Sequence, residues 1–314
     1  MSGSGGADAS VDDSAPTDAI VIDCGSSITK VGYSGEDSPR AQYSTLIGLN
    51  SEKLETDSQS GALDPAAETV QKLFYGGDDA VSRRNALNLI KPVQRAEVTD
   101  WDALEKLWEW SFTEELNIDP EAFPVLVADS VLETKKSRET MAKIMFEKFN
   151  VKSFYVATQA VLSLFSSGVT SGLVIESGDE VSRAVPVFEG FALRHAVCHT
   201  RLANRNVYTN FGKALQAANP QHKLTVDMLD LGCLTNQLKA KHCCVDSYGG
   251  PGGGEEMEEA VHELPDGSVI HIPYSVCAGS AEVLFDPGQS GLRQTSLPGI
   301  LGDCIATTAP RMEL

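Results

Sequence analysis

Two short segments carry the residue types that handle phosphate and metal. Asp23-Cys24-Gly25-Ser26-Ser27 and Glu176-Ser177-Gly178-Asp179-Glu180 each end an apolar, β-rich run and each combine acid, hydroxyl and glycine. Small residues let backbone N–H groups approach phosphate oxygens, and a carboxylate at a strand end can hold the waters of Mg²⁺. Hairpin turns use the same residues for conformational reasons, so on local grounds the phosphate reading and the plain-turn reading stand level. His195, Cys198 and His199, with Cys243-Cys244 elsewhere, also offer metal-ligand types. No paired Cys-x-x-Cys spacing completes a tetrahedral set, and no metal centre is expected there.

The elements that must position these segments follow from periodicity. Ala19-Ile20-Val21-Ile22 and Thr29 to Tyr33 read as the strands of a hairpin around the first segment. Pro124 to Ala128, Val151 to Tyr155 and Ser171 to Glu176 read as further strands. Thr99 can cap a helix carrying Trp101, Leu104, Leu107, Trp108 and Phe112 at spacings of three and four, and helical spacing puts two of Trp101, Trp108 and Trp110 in the core. Ser137 to Phe149 is an amphipathic helix through Met141, Ile144, Met145 and Phe149, and Gln159 to Ser167 is another, ended by Gly168. Glu180 to Glu189 reads as a hairpin-like segment continuing into Phe191 to Val197. Helices dominate beyond His199, and Asp266-Gly267 between apolar flanks predicts a last hairpin. From Pro287 the periodicity is weak and gives no ordered element.

Residues 1–17 are too polar and small to order and read as a disordered leader; residues 50–69 read as a mobile surface loop and 247–259 as an exposed Gly- and Glu-rich insert. Glu255-Glu256-Met257-Glu258-Glu259 is a solvated run, or in the sharper reading a docking tail for a basic partner. The 314 residues, 42% of them hydrophobic, can bury one or two cores. No apolar stretch is long enough for a bilayer and no basic, apolar leader begins the chain, so neither export nor membrane anchoring is expected. Seven cysteines, an odd number, argue for reduced thiols over a disulfide framework. A net charge of −19 repels a phosphate backbone, which argues against direct nucleic-acid binding and favours basic protein surfaces as partners.

Two such hairpins separated by an α/β stretch resemble the paired phosphate loops of the actin, Hsp70 and sugar-kinase superfamily. The wider resemblance is to the actin family, through Ser38-Pro39-Arg40-Ala41, Tyr75-Gly76-Gly77-Asp78-Asp79-Ala80, Val98 to Trp108, Met145 to Asn150, Tyr155 to Leu164 and Glu263-Leu264-Pro265-Asp266-Gly267. It spans about Ala19 to Phe285. The resemblance implies an α/β, actin-like (ribonuclease H-like) two-lobed fold with a nucleotide cleft, a first lobe over 18–166 and a second over 167–314, with the C-terminal part missing. It implies ATP or ADP with Mg²⁺ as cofactor.

Matched residue by residue, Asp23, Gly25, Ser26 and Lys30 fall on the first phosphate loop, with Ser27 in place of a glycine. Gln159 falls on the glutamine that orients the hydrolytic water, and Ser177, Gly178 and Asp179 on the second loop. Lys239 matches a base-side lysine, whereas Ala240 stands where the family has a ribose-binding glutamate. Asp23 and Glu176 would hold Mg²⁺ through water, Glu176 replacing an aspartate. Glu180 replaces a glycine and would crowd or repel phosphate; Arg183 replaces a histidine and could pair with a γ-phosphate, but cannot act as a neutral imidazole. With Leu314 falling before the family's adenine wall and final helices, weak nucleotide binding and exposed apolar surface are expected.

The resemblance therefore suggests a structural or scaffolding subunit of a larger cytoskeletal assembly, dynactin-like or axonemal, and not an active ATPase. Its partners would be protein subunits, actin or actin-related proteins among them, in the cytoplasm. A nucleotide-dependent switch, and a subunit of a nuclear chromatin-remodelling complex, are the alternatives. Filament formation is not expected, because residues 50–69 lack the family's apolar longitudinal contact.

Overall fold

The computed structural model describes residues 18–50, 74–224, 234–245, 259–264 and 266–308. The expected leader, residues 51–69 of the surface loop and residues 247–258 of the insert lie outside them.

Alternating apolar residues build the first half of the described chain around β1 (Ile20–Cys24), whose Ile20 and Ile22 are fully buried. It is followed by β2 (Ile28–Tyr33), β3 (Ala41–Ser44), β4 (Ile47–Leu49), β5 (Phe74–Gly76), α1 (Gly77–Ser82), β6 (Asn88–Ile90), β7 (Val93–Gln94), β8 (Glu97–Val98) and α2 (Trp101–Trp110). Then come β9 (Pro124–Asp129), α3 (Lys135–Lys143), β10 (Ser153–Thr158) and α4 (Gln159–Ser166). The main sheet has the order β10-β9-β1-β2-β3, with β1, β9 and β10 parallel. Asp23 pairs with Ala128 and Ala128 with Ala157, so the carboxyl ends of three parallel strands finish in one row. Such a row is where ligands gather in open α/β sheets.

The cap of α2 is Asp100 and not Thr99. Asp100 accepts the Ala103 N–H at 2.9 Å, while the Thr99 hydroxyl donates to Pro92 O at 3.2 Å and fastens the preceding loop. Leu104, Leu107, Trp108 and Trp110 are buried in one core with Ile20 and Ile22 of β1 and Val125 and Val127 of β9, and Trp101 packs at its margin. Both α2 and α3 run into a π-turn, Ser111–Glu115 and Ile144–Lys148, and Asn117 and Asn150 beyond them take left-handed backbone.

The second half opens with β11 (Gly172–Ser177) and β12 (Ser182–Phe188), followed by β13 (Phe191–Ala192), β14 (Cys198–Thr200), α5 (Asn204–Ala218), α6 (Leu234–His242), β15 (Ala260–Glu263), β16 (Val269–Ile272), α7 (Tyr274–Glu282) and α8 (Leu297–Thr308). Residues Ser182 to Val187 of β12 are all buried because both faces are covered. Ala160 and Leu164 of α4 pack on Val185 and Val187, and Ile300 and Cys304 of α8 pack on Ala184. From Pro287 to Thr308 the chain is thus ordered, against the expectation from its weak periodicity, since a sheet face supplies the contact its sequence does not advertise. His195, expected on a strand, lies exposed in a 3₁₀ turn, Arg194–Ala196, between β13 and β14. The last predicted hairpin is β15–β16, with Gly267 at φ +80. Phe211, Leu215, Leu238, Ile270, Ile272 and Val276 form a separate core where it meets α5, α6 and α7.

Candidate functional site

The two chemistry-bearing segments fold as two copies of one turn. In the first, Cys24 pairs with Thr29 and the Gly25 N–H donates to Ile28 O at 3.0 Å; in the second, Ser177 pairs with Ser182 and the Gly178 N–H donates to Val181 O at 3.0 Å. A Cβ on Gly25 would sit 2.9 Å from Ile28 O, so the first turn closes only with glycine. In each copy an acid on the leading strand stands opposite a base on the returning strand: Asp23 opposite Lys30, and Glu176 opposite Arg183.

The copies differ in what becomes of the charges. Lys30 is exposed and forms no ion pair with a described residue. Arg183 is buried, its Nη1 3.6 Å from Glu176 Oε2. Burial pushes the Glu176 carboxyl above the usual carboxylate range and the Arg183 guanidinium below its own, in each case against the pull of the other. Arg183 Nε and Glu176 Oε2 also have no hydrogen-bond partner. The pair is therefore held together by the fold at an electrostatic cost.

Asp179 and Glu180 are tied down by a different set of cations. Asp179 accepts from Arg205 Nη2 at 3.1 Å and from Asn204 Nδ2 at 3.4 Å, and Lys91 Nζ lies 3.6 Å away. Glu180 is buried, 3.3 Å from Lys91 Nζ, paired with Arg205, and accepts the backbone N–H of Arg95. Arg95 and its neighbour Ala96 form the tight β7–β8 turn, both with left-handed backbone, and the Ala96 N–H donates to Ser26 Oγ at 2.9 Å. One turn of the first half therefore holds both candidate loops, Ser26 of one and Glu180 of the other.

Asp23, Gly25, Ser26, Ser27, Lys30, Gln159, Glu176, Ser177, Gly178, Asp179 and Lys239, all named from sequence, line a single cleft of about 1310 Å³, with Ala240. Gln159 Nε2 donates to Asp23 Oδ1 at 2.7 Å. Lys239 donates to Asn204 Oδ1, and partial burial lowers the basicity of its amine. The sequence reading missed Lys91, Arg95 and Arg205. Lys91 lies 89 residues from Glu180, and no glycine marks the left-handed turn at Arg95 and Ala96.

A family model described as Actin matches residues 14–311. The chain belongs to the actin family. Its mixed α/β content and several sheets fit an actin-like fold. Actin-family domains generally bind ATP or ADP with Mg²⁺, and the two hairpins of this actin-family chain answer that ligand differently. The first fits: the Ser26 and Ser27 N–H groups bond to no described residue, Ser26 Oγ keeps its proton after accepting from Ala96, and Lys30 pairs with no described residue.

The side chains of the second hairpin do not fit, although its Asp179 and Glu180 N–H groups, like those of Ser26 and Ser27, bond to no described residue. Ser182 Oγ gives its proton to Leu202 O at 2.6 Å, so Ser177 must give its own to Ser182 at 2.8 Å and has none for phosphate. Arg183, expected to be able to reach a γ-phosphate, is committed to Glu176 and sets a cation beside the carboxylate that was to serve Mg²⁺. Glu180, expected to repel phosphate, is instead neutralised by Lys91 and Arg205. Glu176 thus shares its carboxylate with Arg183, and Asp179 is held by arginine and lysine.

Proposed function

We propose that this actin-family chain is a structural or scaffolding subunit of a larger cytoskeletal assembly, of dynactin-like or axonemal type, and that its cleft is bridged by its own ion pairs in place of nucleotide turnover. The observation that carries this reading is the clasp at Glu180, where a carboxylate from the second hairpin meets Lys91 and the Arg95 N–H from the first half and Arg205 from α5. In a nucleotide-binding relative, phosphate oxygens on Mg²⁺ would bridge two such hairpins; here protein carboxylates and cations make a bridge that is always present. The two halves then act as two lobes around a fixed cleft, and function moves to the surfaces. The partners are protein subunits in the cytoplasm, actin or actin-related proteins among them, rather than nucleic acid or membrane; the charge of −19 favours basic protein faces.

The test is size-exclusion chromatography of the chain from native extract, before and after removal of nucleotide and Mg²⁺ with apyrase and EDTA. An unchanged high-mass assembly containing other actin-family subunits is expected. Recovery as a monomer throughout overturns the subunit reading.

A nucleotide-dependent switch is the second reading, favoured by the first hairpin, where Ser26, Lys30 and the Gln159–Asp23 contact are still disposed toward the cleft. An assembly that falls apart on nucleotide removal would select it.

A further inference from the structure

Against the Glu180 clasp lies a second pocket, of about 320 Å³, which shares Glu180 with the cleft. Arg95, Arg201, Arg205 and Lys213 all line it. In a chain of charge −19 this is a local reversal of sign. The side chains of Arg95, Arg201 and Lys213 make no ion pair or hydrogen bond with any described residue, and Arg205, though paired through Nη2, leaves a buried Nε–H without an acceptor. Asp179 and Glu180 neutralise Arg205, but Arg95, Arg201 and Lys213 meet no anion among the described residues, and cations gathered in this way are left to be neutralised from outside.

The spacing says what kind of anion. Arg205, Thr209 and Lys213 recur every four residues along one face of α5, with Arg201 just before it, so the charges run along ~12 Å of helix and do not converge on one point. A single phosphate reaches one or two of them; an extended chain, advancing ~3.3 Å per residue, sets successive carboxylates beside all of them. Asn210 Nδ2 bonds to Ser290 Oγ at 2.8 Å and fixes the far wall. Asn206 spends its Oδ1 on the Ala203 N–H at 3.0 Å, which leaves its amide N–H groups to donate.

We propose that this pocket is a docking site for an acidic peptide segment of a partner protein, read by Arg95, Arg201, Arg205 and Lys213. The inference deepens the subunit reading by giving one of its surfaces a partner chemistry. Glu180 lines both the pocket and the cleft, so the peptide's carboxylates compete with it for Arg205. Docking and the clasp are thereby coupled.

The probe is a fluorescein-labelled hexaglutamate peptide followed by anisotropy at low salt. Binding is expected to weaken as salt is raised, and to fall about tenfold or more in Arg201→Glu/Lys213→Glu, since two favourable contacts become repulsive. Both side chains are exposed, so that variant is expected to keep the native circular dichroism. Arg194→Glu/Lys152→Glu reverses the same amount of charge away from the pocket and should leave binding nearly intact. No binding to folded protein, equal loss in the two variants, or complete displacement by millimolar inorganic phosphate, which would make it a single-oxyanion site, overturns the proposal. The clasp itself is read separately, by nucleotide response, so loss of docking and loss of the clasp are distinguished.

Discussion

Glu176 and Arg183 face each other across β11 and β12 where the first hairpin has Asp23 and Lys30. Removing one member of a buried pair strands the other charge, so Glu176→Ala is expected to cost about 3–5 kcal/mol in urea unfolding, whereas Glu176→Leu/Arg183→Met should be near neutral or stabilising. Equal losses in the single and double variants would show that the pair stabilises the fold outright. Burial raises the Glu176 carboxyl above its ordinary 4.5, so the folded state binds this proton more readily than the unfolded state does. Its contribution to stability is fully present below about pH 4.5 and is lost as pH rises through the raised value. The midpoint of Glu176→Gln, measured from about pH 4.5 to 7, should therefore fall less steeply with pH than that of the unaltered chain; parallel curves would mean the carboxyl titrates normally.

At the scale of elements, what the sequence made legible was local. β1–β2, β11–β12 and β15–β16 announce themselves through alternation and turn residues, and the Trp101 to Phe112 helix through its three- and four-residue spacing. The acid and glycine turns of the cleft were readable for the same reason. α8 was not, because Gly299 and Gly302 depress helix propensity and its burial rests chiefly on Ile300 and Cys304 meeting Ala184 of a distant strand. Ile300→Ala should thus cost about 2–4 kcal/mol by chemical denaturation, the amount for a well-packed core residue. A loss below about 0.5 kcal/mol would show that α8 adds nothing to β12. The clasp was illegible because its partners are joined by tertiary structure alone: Arg95 and Glu180 are 85 residues apart, and ion pairs at that separation leave no periodicity.

For the whole molecule, the deciding question is whether protein charges or a bound nucleotide bridge the cleft. Gln159 holds Asp23 on the first hairpin, but the second offers neither a hydroxyl proton nor an uncommitted carboxylate. Steady phosphate release from Mg²⁺-ATP should accordingly stay at background and be the same in Gln159→Ala; release that this variant abolishes would show a working site. The most direct measurement is thermal denaturation of the purified chain against rising Mg²⁺-ATP, beside Asp179→Ala and Glu180→Gly. A ligand at 100 times its dissociation constant would stabilise the fold by about 2.7 kcal/mol, a shift of several degrees. No shift is expected for the unaltered chain, and for Glu180→Gly a lower midpoint that Mg²⁺-ATP raises. A concentration-dependent rise in the unaltered chain, lost in Asp179→Ala, would contradict this expectation.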